Sequence, residues 1–104
     1  PVARVHLTEQ AQNELDAVIE YYERIGADDF AEVFEEKVIK KIRPLEQFPR
    51  MGRLVPEIGD EAIREVLYRN YRIVYVVDQD DEEVDVLTIF HSSQQFGALG
   101  SDDE

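Results

Sequence analysis

The chain has 104 residues, no cysteine, and 24 acidic against 11 basic side chains, which gives a formal net charge of −13. The length predicts one domain, and the composition excludes disulfides, thiolate metal sites and, since no run of about 18 apolar residues occurs, a membrane-spanning segment. The negative charge weighs against direct non-specific nucleic-acid binding, which needs clustered cations. Since the absence of cysteine fits the cytosol and no apolar span occurs, we expect a cytoplasmic protein without membrane contact.

The first elements along the chain are a short strand and a helix. Arg4 to Leu7 alternates polar and apolar side chains, as a strand does, and Thr8 is a suitable N-cap for the helix that follows. Gly26 ends this helix, because glycine adopts a positive φ at little cost. One apolar stripe at helical spacing is expected to face the core: Ala11, Leu15, Val18, Ile19, Tyr22 and Ile25.

A second helix follows after a short link. Asp29 with Glu32 predicts a capping box at its start, and Pro44 is expected to end or kink it. Its apolar stripe comprises Phe30, Phe34, Val38, Ile42 and Leu45. The two helices are therefore expected to form an antiparallel hairpin with one face on a sheet.

Three antiparallel strands are predicted in the second half of the chain. An irregular connection rich in proline and glycine (residues 49–59) precedes them. The strands are Ile63 to Arg69, Tyr71 to Val77 and Val84 to Phe90, joined by a tight turn at Asn70 and a polar turn over residues 79–83. Since the middle strand is apolar on both faces, we expect it at the centre of the sheet.

The order β-α-α-β-β-β places the helices early and the paired strands late. This order predicts an α+β fold, with a helical hairpin packed on a mostly antiparallel sheet. We expect the folded domain to span residues 1–99 and residues 100–104 to form an acidic, disordered tail.

Residues 50–72 form a basic island in this acidic chain. Five arginines (Arg50, Arg53, Arg64, Arg69 and Arg72) stand against four acids (Glu57, Asp60, Glu61 and Glu65), a net charge of +1. An anionic or acidic partner is expected to dock on such an island.

Three stretches in order resemble the ParE/RelE toxins of bacterial toxin–antitoxin pairs, also known as plasmid-stabilisation toxins. They read VHLTEQAQNELDAVIEYY, FPRMGRLVPEIGDEAIREVLYRNYRIVYVV and VDVLTIFHSSQQF, with a helical "F…V..KI..L..FP" run between the first two. The resemblance covers nearly the whole chain. It implies a cognate antitoxin as partner, and DNA gyrase or the ribosome as target.

The charge of the chain departs from this family, whose toxins are usually basic. Many acids with few lysines is a composition typical of proteins from a high-salt cytoplasm, and the alternative is an ordinary soluble acidic surface. Both interpretations remain open at this point.

Metal-independent RNA cleavage needs a group that activates the ribose 2′-OH, a proton donor for the leaving oxygen, and cations on the phosphate. The candidates are Arg64, Arg72, Tyr75 and His91. Each has a structural alternative: core packing for Tyr75, a salt bridge to an acid such as Glu65 for Arg72, a solvated strand position for Arg64, and a structural or binding role for His91. No cofactor or metal site is expected.

The resemblance favours the ParE branch over the ribosome-dependent mRNA interferases of the RelE type. The interferases carry two lysines at positions that match Ile63 and Glu65, and their late-strand arginine matches Ser93–Gln94. Only Arg72 remains of that catalytic set. ParE toxins are implied to poison DNA gyrase by binding it, which makes a non-enzyme the favoured hypothesis. A non-toxic relative that retains only antitoxin binding is the third alternative.

On the ParE hypothesis, target recognition is assigned to Arg64, Arg72, His91 and the segment Ser92 to Phe96, with Phe96 as an aromatic anchor. Arg50 and Arg53 are expected to orient the loop or to contact an acidic antitoxin. Without that antitoxin, exposed apolar surface is expected to promote self-association, for example as a homodimer.

Overall fold

The computed structural model describes residues 2–94. Their elements in order are β1 (Arg4–Leu7), α1 (Glu9–Arg24), α2 (Asp28–Ile42), a 3₁₀ helix (Arg43–Glu46), β2 (Arg53–Leu54), β3 (Ile63–Tyr68), β4 (Tyr71–Val77) and β5 (Glu83–His91). This confirms the α+β fold, with two helices beside a mostly antiparallel sheet. None of these helices is long and apolar enough to cross a membrane. The predicted tail and Phe96 lie outside the described residues.

The sheet has five strands in the order β1-β5-β4-β3-β2. β1 pairs with β5 in parallel, and all other pairs are antiparallel. The central position of β4 was predicted correctly. β2 was not predicted, because a two-residue strand has no periodicity; it pairs Arg53 with Glu65 and Leu54 with Arg64.

Local hydrogen bonds explain most of the helix boundaries. The Thr8 hydroxyl accepts a hydrogen bond from the amide of Ala11 at 3.1 Å, and Gly26 has the positive φ (82°) that ends the α1 segment. The predicted capping box of α2 is wrong. This helix begins at Asp28 after Ala27, which has no side-chain capping bond, and the negative charges of its first turn complement the helix dipole instead.

The core lies between the helices and one face of the sheet. Leu15 and Phe34 from the helices pack on Ile73, Tyr75 and other strand residues that are fully or nearly fully buried. Ile25 departs from the predicted stripe, since it follows the last residue of α1 and is 58% exposed.

A smaller cluster of Val55, Val74 and Phe90 lies on the opposite face of the sheet, with Ile63 packed against it. Val55 belongs to the connection between β2 and β3, so this connection covers part of the second face. β4 is therefore buried on both sides, as its apolar composition predicted.

Candidate functional site

Four charged side chains form a network on the sheet face opposite the helices. Glu65 is 1% exposed, and its two carboxylate oxygens accept hydrogen bonds from Nε of Arg53 at 2.7 Å and Nε of Arg72 at 2.8 Å. The terminal nitrogens of Arg72 donate to both oxygens of Glu57, each at 2.8 Å. Arg72 thus holds two carboxylates with one guanidinium, a fork geometry suited to arginine.

The network shifts the pKa values of Glu57 and Arg72 so that both side chains stay charged. The hydrogen bond from Arg72 lowers the pKa of Glu57 to about 2. The pKa of Arg72 is raised, first by its hydrogen bond to Glu57 and then by Glu65. The Arg72 guanidinium also lies 5.2 Å from the ring centroid of Phe90, a cation–π contact. Of the two alternatives for Arg72, the salt bridge to Glu65 is confirmed.

Three hydrogen bonds around Gly52 hold the connection before β3. Tyr75 is completely buried, and its hydroxyl accepts from the amide of Gly52 at 3.0 Å. Arg64 donates to the carbonyl of Gly52 at 2.9 Å and to that of Glu61 at 3.0 Å. A Cβ at Gly52 would lie 2.6 Å from the carbonyl oxygen of Glu65, so this close approach requires glycine. Core packing of Tyr75 is confirmed. Arg64 holds the connection through these two hydrogen bonds and is not simply a solvated strand residue.

Arg50 fastens the same connection to the turn between β4 and β5. Its Nε donates to the Asp81 carboxylate at 2.9 Å, and a terminal nitrogen donates to the Glu61 carbonyl at 3.4 Å. These contacts agree with the loop-orienting role expected of Arg50. Arg53 pairs with Glu65 while its side chain remains 55% exposed.

His91 ends β5 and begins a compact turn. Its ring meets Tyr71 edge-on, with centroids 5.1 Å apart. Nδ1 lies 2.7 Å from the Ser93 hydroxyl and accepts from the Ser93 amide at 3.1 Å, so the neutral ring carries its proton on Nε2. The pKa of Tyr71 is raised to about 12, by burial first and by Tyr22 second.

The structure brings only some of the predicted site residues together. In the pairing of β4 with β5, Tyr71 is opposite His91 and Arg72 is opposite Phe90, so Arg72 and His91 lie at one end of the sheet. Arg64 is paired with Tyr75, towards the other end of the β3–β4 hairpin. Between Arg72 and Ser92 lies a shallow cavity of about 290 Å³ that is also bordered by Arg53, Glu57 and Arg69.

Two carboxylates occupy the positions around Arg72 where an anion would bind. Glu65 and Glu57 lie within hydrogen-bond distance of Arg72, where a phosphate would have to compete with two carboxylates. Across residues 2–94, no group of three or more His, Asp or Glu side chains is placed to hold a metal ion.

Sequence reasoning missed Glu14, a residue of α1 that bonds the sheet. One of its carboxylate oxygens accepts from the Thr88 hydroxyl at 2.7 Å and from the amide of Ile89 at 2.8 Å. An isolated glutamate on a helix gives no sequence signal for such a contact with a strand more than 70 residues away.

Comparison with known families agrees with this fold. Residues 5–96 match the model of the ParE toxin of the type II toxin–antitoxin system, parDE. The chain belongs to the ParE toxin family. It is therefore the toxin component of a type II toxin–antitoxin system, and the resemblance to ParE/RelE toxins is confirmed.

Two solved structures share the fold of this ParE-family chain. A chain of the chromosomal ParDE system from P. aeruginosa aligns with a TM-score of 0.69 at 21% identity, over 86% of this chain and 95% of that one. A chain of the RelBE2 toxin–antitoxin complex from Mycobacterium tuberculosis aligns with a TM-score of 0.62 at 17% identity, over 88% of this chain and 99% of that one. Among curated protein sequences, none matches.

Proposed function

We propose that this ParE-family toxin acts by binding DNA gyrase, does not cut RNA, and is neutralised by a cognate antitoxin. The observation that carries the proposal is the state of Arg72, the one residue left from the catalytic set of the interferases. Its guanidinium is held by Glu57 and Glu65, and its side chain is only 11% exposed.

A scissile phosphate would meet an unfavourable site at Arg72. Binding it there would require Glu57 to leave, and the buried Glu65 carboxylate would remain beside the incoming negative charge. Glu65 also stands where the interferases place a lysine that stabilises charge. The arrangement thus opposes the electrostatics that RNA cleavage needs.

Gyrase binding requires a recognition surface, and the end of the sheet at His91 supports one. The exposed residues Ser92 and Ser93 follow it, and Arg72 and Tyr71 border the adjacent cavity. We assign target recognition to His91 and the segment that follows up to Phe96. Arg64 and Arg50 serve mainly to hold the connection before β3. The exposed side of Arg53 borders the cavity near Arg72.

An antitoxin has apolar surface to cover on the helical hairpin. Tyr21, Ile25 and Val33 are 51%, 58% and 40% exposed, a pattern typical of a surface that binds a partner. Both similar structures come from toxin–antitoxin systems. In the absence of the antitoxin, this surface is expected to promote self-association.

The proposal is tested by expressing the toxin without its antitoxin and scoring growth arrest, DNA-damage response and mRNA cleavage separately. We expect growth arrest with a DNA-damage response and intact mRNA. mRNA cleavage without DNA damage would indicate the interferase activity instead, and the absence of arrest would indicate a non-toxic relative.

Two alanine variants locate the recognition surface. His91→Ala combined with Phe96→Ala should abolish growth arrest and leave the melting temperature nearly unchanged, because His91 is the last residue of β5 and lies outside the buried core. His6→Ala is the matched control, since His6 is the other histidine, is exposed, and bonds Glu83 at the opposite end of β5 from His91. A fall of several degrees in melting temperature for the double variant would show that the segment belongs to the core.

A further inference from the structure

A groove between α2 and the end of β3 gathers positive charge in this acidic chain. Its volume is about 610 Å³, and it is lined by Lys37, Lys40, Lys41, Leu67, Tyr68 and Arg69. The lining thus includes every lysine of the chain and no acidic residue. In the part of the chain that the structure describes, no carboxylate pairs with any of these four cations. Their counter-charge therefore has to come from elsewhere.

Arg69 is held in the groove by an unusual backbone. Its φ is 52°, in the left-handed region that glycine and asparagine adopt more readily than arginine. Its Nε donates to the Tyr68 hydroxyl at 3.1 Å, and its guanidinium lies 5.7 Å from the centroid of the Tyr68 ring. A strained backbone that keeps an exposed arginine in one place indicates a role for its charge.

The described part of the chain ends close to this groove. After β5, the amide of Ser92 donates to the carbonyl of Asn70 at 2.6 Å, and the amide of Gln94 donates to that of His91 at 2.9 Å. Asn70 follows Arg69 in the turn between β3 and β4. The chain therefore passes the Arg69 end of the groove just before residue 95.

Residues 95–104 carry the opposite charge to the groove. They include no basic residue and three consecutive acids, Asp102, Asp103 and Glu104. Asp102 follows Gln94 by eight residues, which span up to roughly 26–29 Å when extended. The lysines occupy about one turn of α2, or about 6 Å of its axis, so the acids can reach them.

The covalent connection makes weak ion pairs sufficient. Surface ion pairs contribute little individually, so a free acidic peptide of this size would bind poorly. A segment on the same chain has an effective concentration on the order of millimolar, which favours the contact without any further interaction. The acidic turn between β4 and β5, at the far end of the sheet, repels the same segment.

We propose that the acidic residues 102–104 bind this groove of their own chain and shield its cations from other anions. Their carboxylates pair with Lys37, Lys40, Lys41 and Arg69. Composition alone predicted a disordered tail, whereas the groove offers these carboxylates a binding site. The contact involves neither a target nor catalysis, so it does not depend on the proposed function.

A lysine-specific reagent reports on the groove directly, because no lysine lies outside it. Acetylation by the N-hydroxysuccinimide ester of acetic acid is followed at each lysine by mass spectrometry. The tail variant neutralises the three acids by the substitutions Asp102→Asn, Asp103→Asn and Glu104→Gln. The matched control neutralises three exposed acids of α1 by the substitutions Asp16→Asn, Glu20→Gln and Glu23→Gln.

Both variants change the net charge equally, so their difference isolates the contact. We expect the tail variant to raise the acetylation rate about threefold and the control by less than about 1.5-fold, because charges in contact act more strongly than distant, screened ones. Equal rates for the two variants would overturn the proposal. A difference that persists in 1 M KCl, where the screening length is about 3 Å, would contradict an ionic contact.

A spin label tests where the segment lies. The chain has no cysteine, so Ser101→Cys provides a single attachment site for a nitroxide. At low salt, the label should broaden the amide resonances of Lys41 and Tyr68 and leave that of Val5 in β1 sharp. Lys37→Glu with Lys40→Glu should abolish the broadening, and Arg24→Glu with Arg43→Glu, two exposed positions outside the groove, should preserve it. Equal broadening of β1 and the groove would overturn the proposal.

Oligonucleotide binding tests the shielding. Fluorescein-labelled single-stranded oligouridylate is titrated with each protein at low salt and followed by fluorescence polarisation. The tail variant should bind about fivefold or more tightly than the unaltered protein, because its groove cations become available to phosphates. The α1 control should bind like the unaltered protein. Equal affinity of all three proteins would show that the segment does not shield the groove.

Discussion

At each side of the sheet, one strand extends beyond its edge neighbour and forms an overhang. Hydrogen bonds cover one of these two overhangs and not the other. β5 extends beyond β1 from Leu87 to His91, and β3 extends beyond β2 from Val66 to Tyr68. The β5 overhang is closed: the Thr8 hydroxyl donates to the Leu87 carbonyl at 3.2 Å, Ile89 donates to Glu14, and His91 donates to the Gln94 side chain at 2.9 Å.

The β3 overhang has no such covering group among residues 2–94, and lysines surround it. Proteins commonly cover or charge exposed strand edges because such edges pair with other chains. Here one edge is covered by the protein's own side chains, and the other is charged. The two edges are thus protected in different ways, the β5 edge by hydrogen bonds and the β3 edge by nearby cations.

The largest effect is expected from Glu65, which pairs with Arg53, the first residue of β2, next to the part of β3 that extends beyond β2. Glu65→Ala should destabilise the fold by about 3–5 kcal/mol, because Arg72 would stay buried with one of its two carboxylates missing. Urea unfolding measures the change. Glu61→Ala, at an exposed position nearby, should cost less than about 0.5 kcal/mol. A loss below about 1 kcal/mol for Glu65→Ala would show that this network does not anchor the edge.

Exposing the edge of β5 by removing the Glu14 carboxylate should have the next largest effect. Glu14→Ala removes the acceptor for the Thr88 hydroxyl and the Ile89 amide, which should destabilise the protein by about 1–3 kcal/mol. Sedimentation should also show increased self-association, as the β5 edge becomes available. Glu20→Ala, on an exposed part of the same helix, is the control. Unchanged stability and unchanged mass would show that Glu14 does not protect the edge.

Salt should stabilise the fold, because it screens the repulsion among the acidic side chains near the β4–β5 turn. The β4–β5 turn and the start of β5 concentrate six acids (Asp78, Asp80, Asp81, Glu82, Glu83 and Asp85) on the side away from the lysines. Raising KCl from low to molar concentration shortens the screening length from about 30 Å at 0.01 M to about 3 Å at 1 M, so the melting temperature should rise by several degrees. A flat or falling melting temperature would remove the high-salt interpretation of the composition.

The smallest effect concerns acid pH. Arg72 lowers the pKa of Glu57 from 4.5 to about 2, so the contribution of Glu57 to stability is present above pH 4.5 and is lost as the pH falls towards 2. In unfolding experiments, the protein should exceed Glu57→Gln in stability at pH 6, and the difference should shrink through this range. Because Glu57 is 44% exposed, solvent screening keeps the difference small. A difference independent of pH would contradict the ion pair.

The sequence was sufficient to predict the elements that repeat a pattern over many residues. The helical stripes apart from Ile25, the central position of the apolar strand β4 and the Thr8 cap follow from spacing and local hydrogen bonding, and the structure confirms them. The predicted capping box was wrong because α2 begins at Asp28, after Ala27 and one residue before Asp29, where the predicted box starts. The carboxylates of the first turn stabilise the helix through their charge. Two residues of β2 are too few to show any period.

The candidate site was harder to predict, because ion pairs depend on tertiary distances. The sequence placed Arg72 among apolar residues and left two outcomes open; only the pairing of β3 with β4 brings Glu65 beside it. The contact of Glu14 with Ile89 and the alignment of Lys37, Lys40 and Lys41 with the β3 edge likewise depend on how the hairpin crosses the sheet. The roles assigned to His91 and Phe96 remain predictions.

The central claim, that this toxin acts by binding and not by catalysis, is tested most directly with purified components. Toxin freed of antitoxin is added to DNA gyrase with relaxed plasmid DNA, and in parallel to ribosomes carrying a defined mRNA. We predict inhibited supercoiling or trapped DNA breaks in the first reaction and intact mRNA in the second. Unimpaired gyrase at a large excess of toxin, together with cleaved ribosome-bound mRNA, would contradict the account.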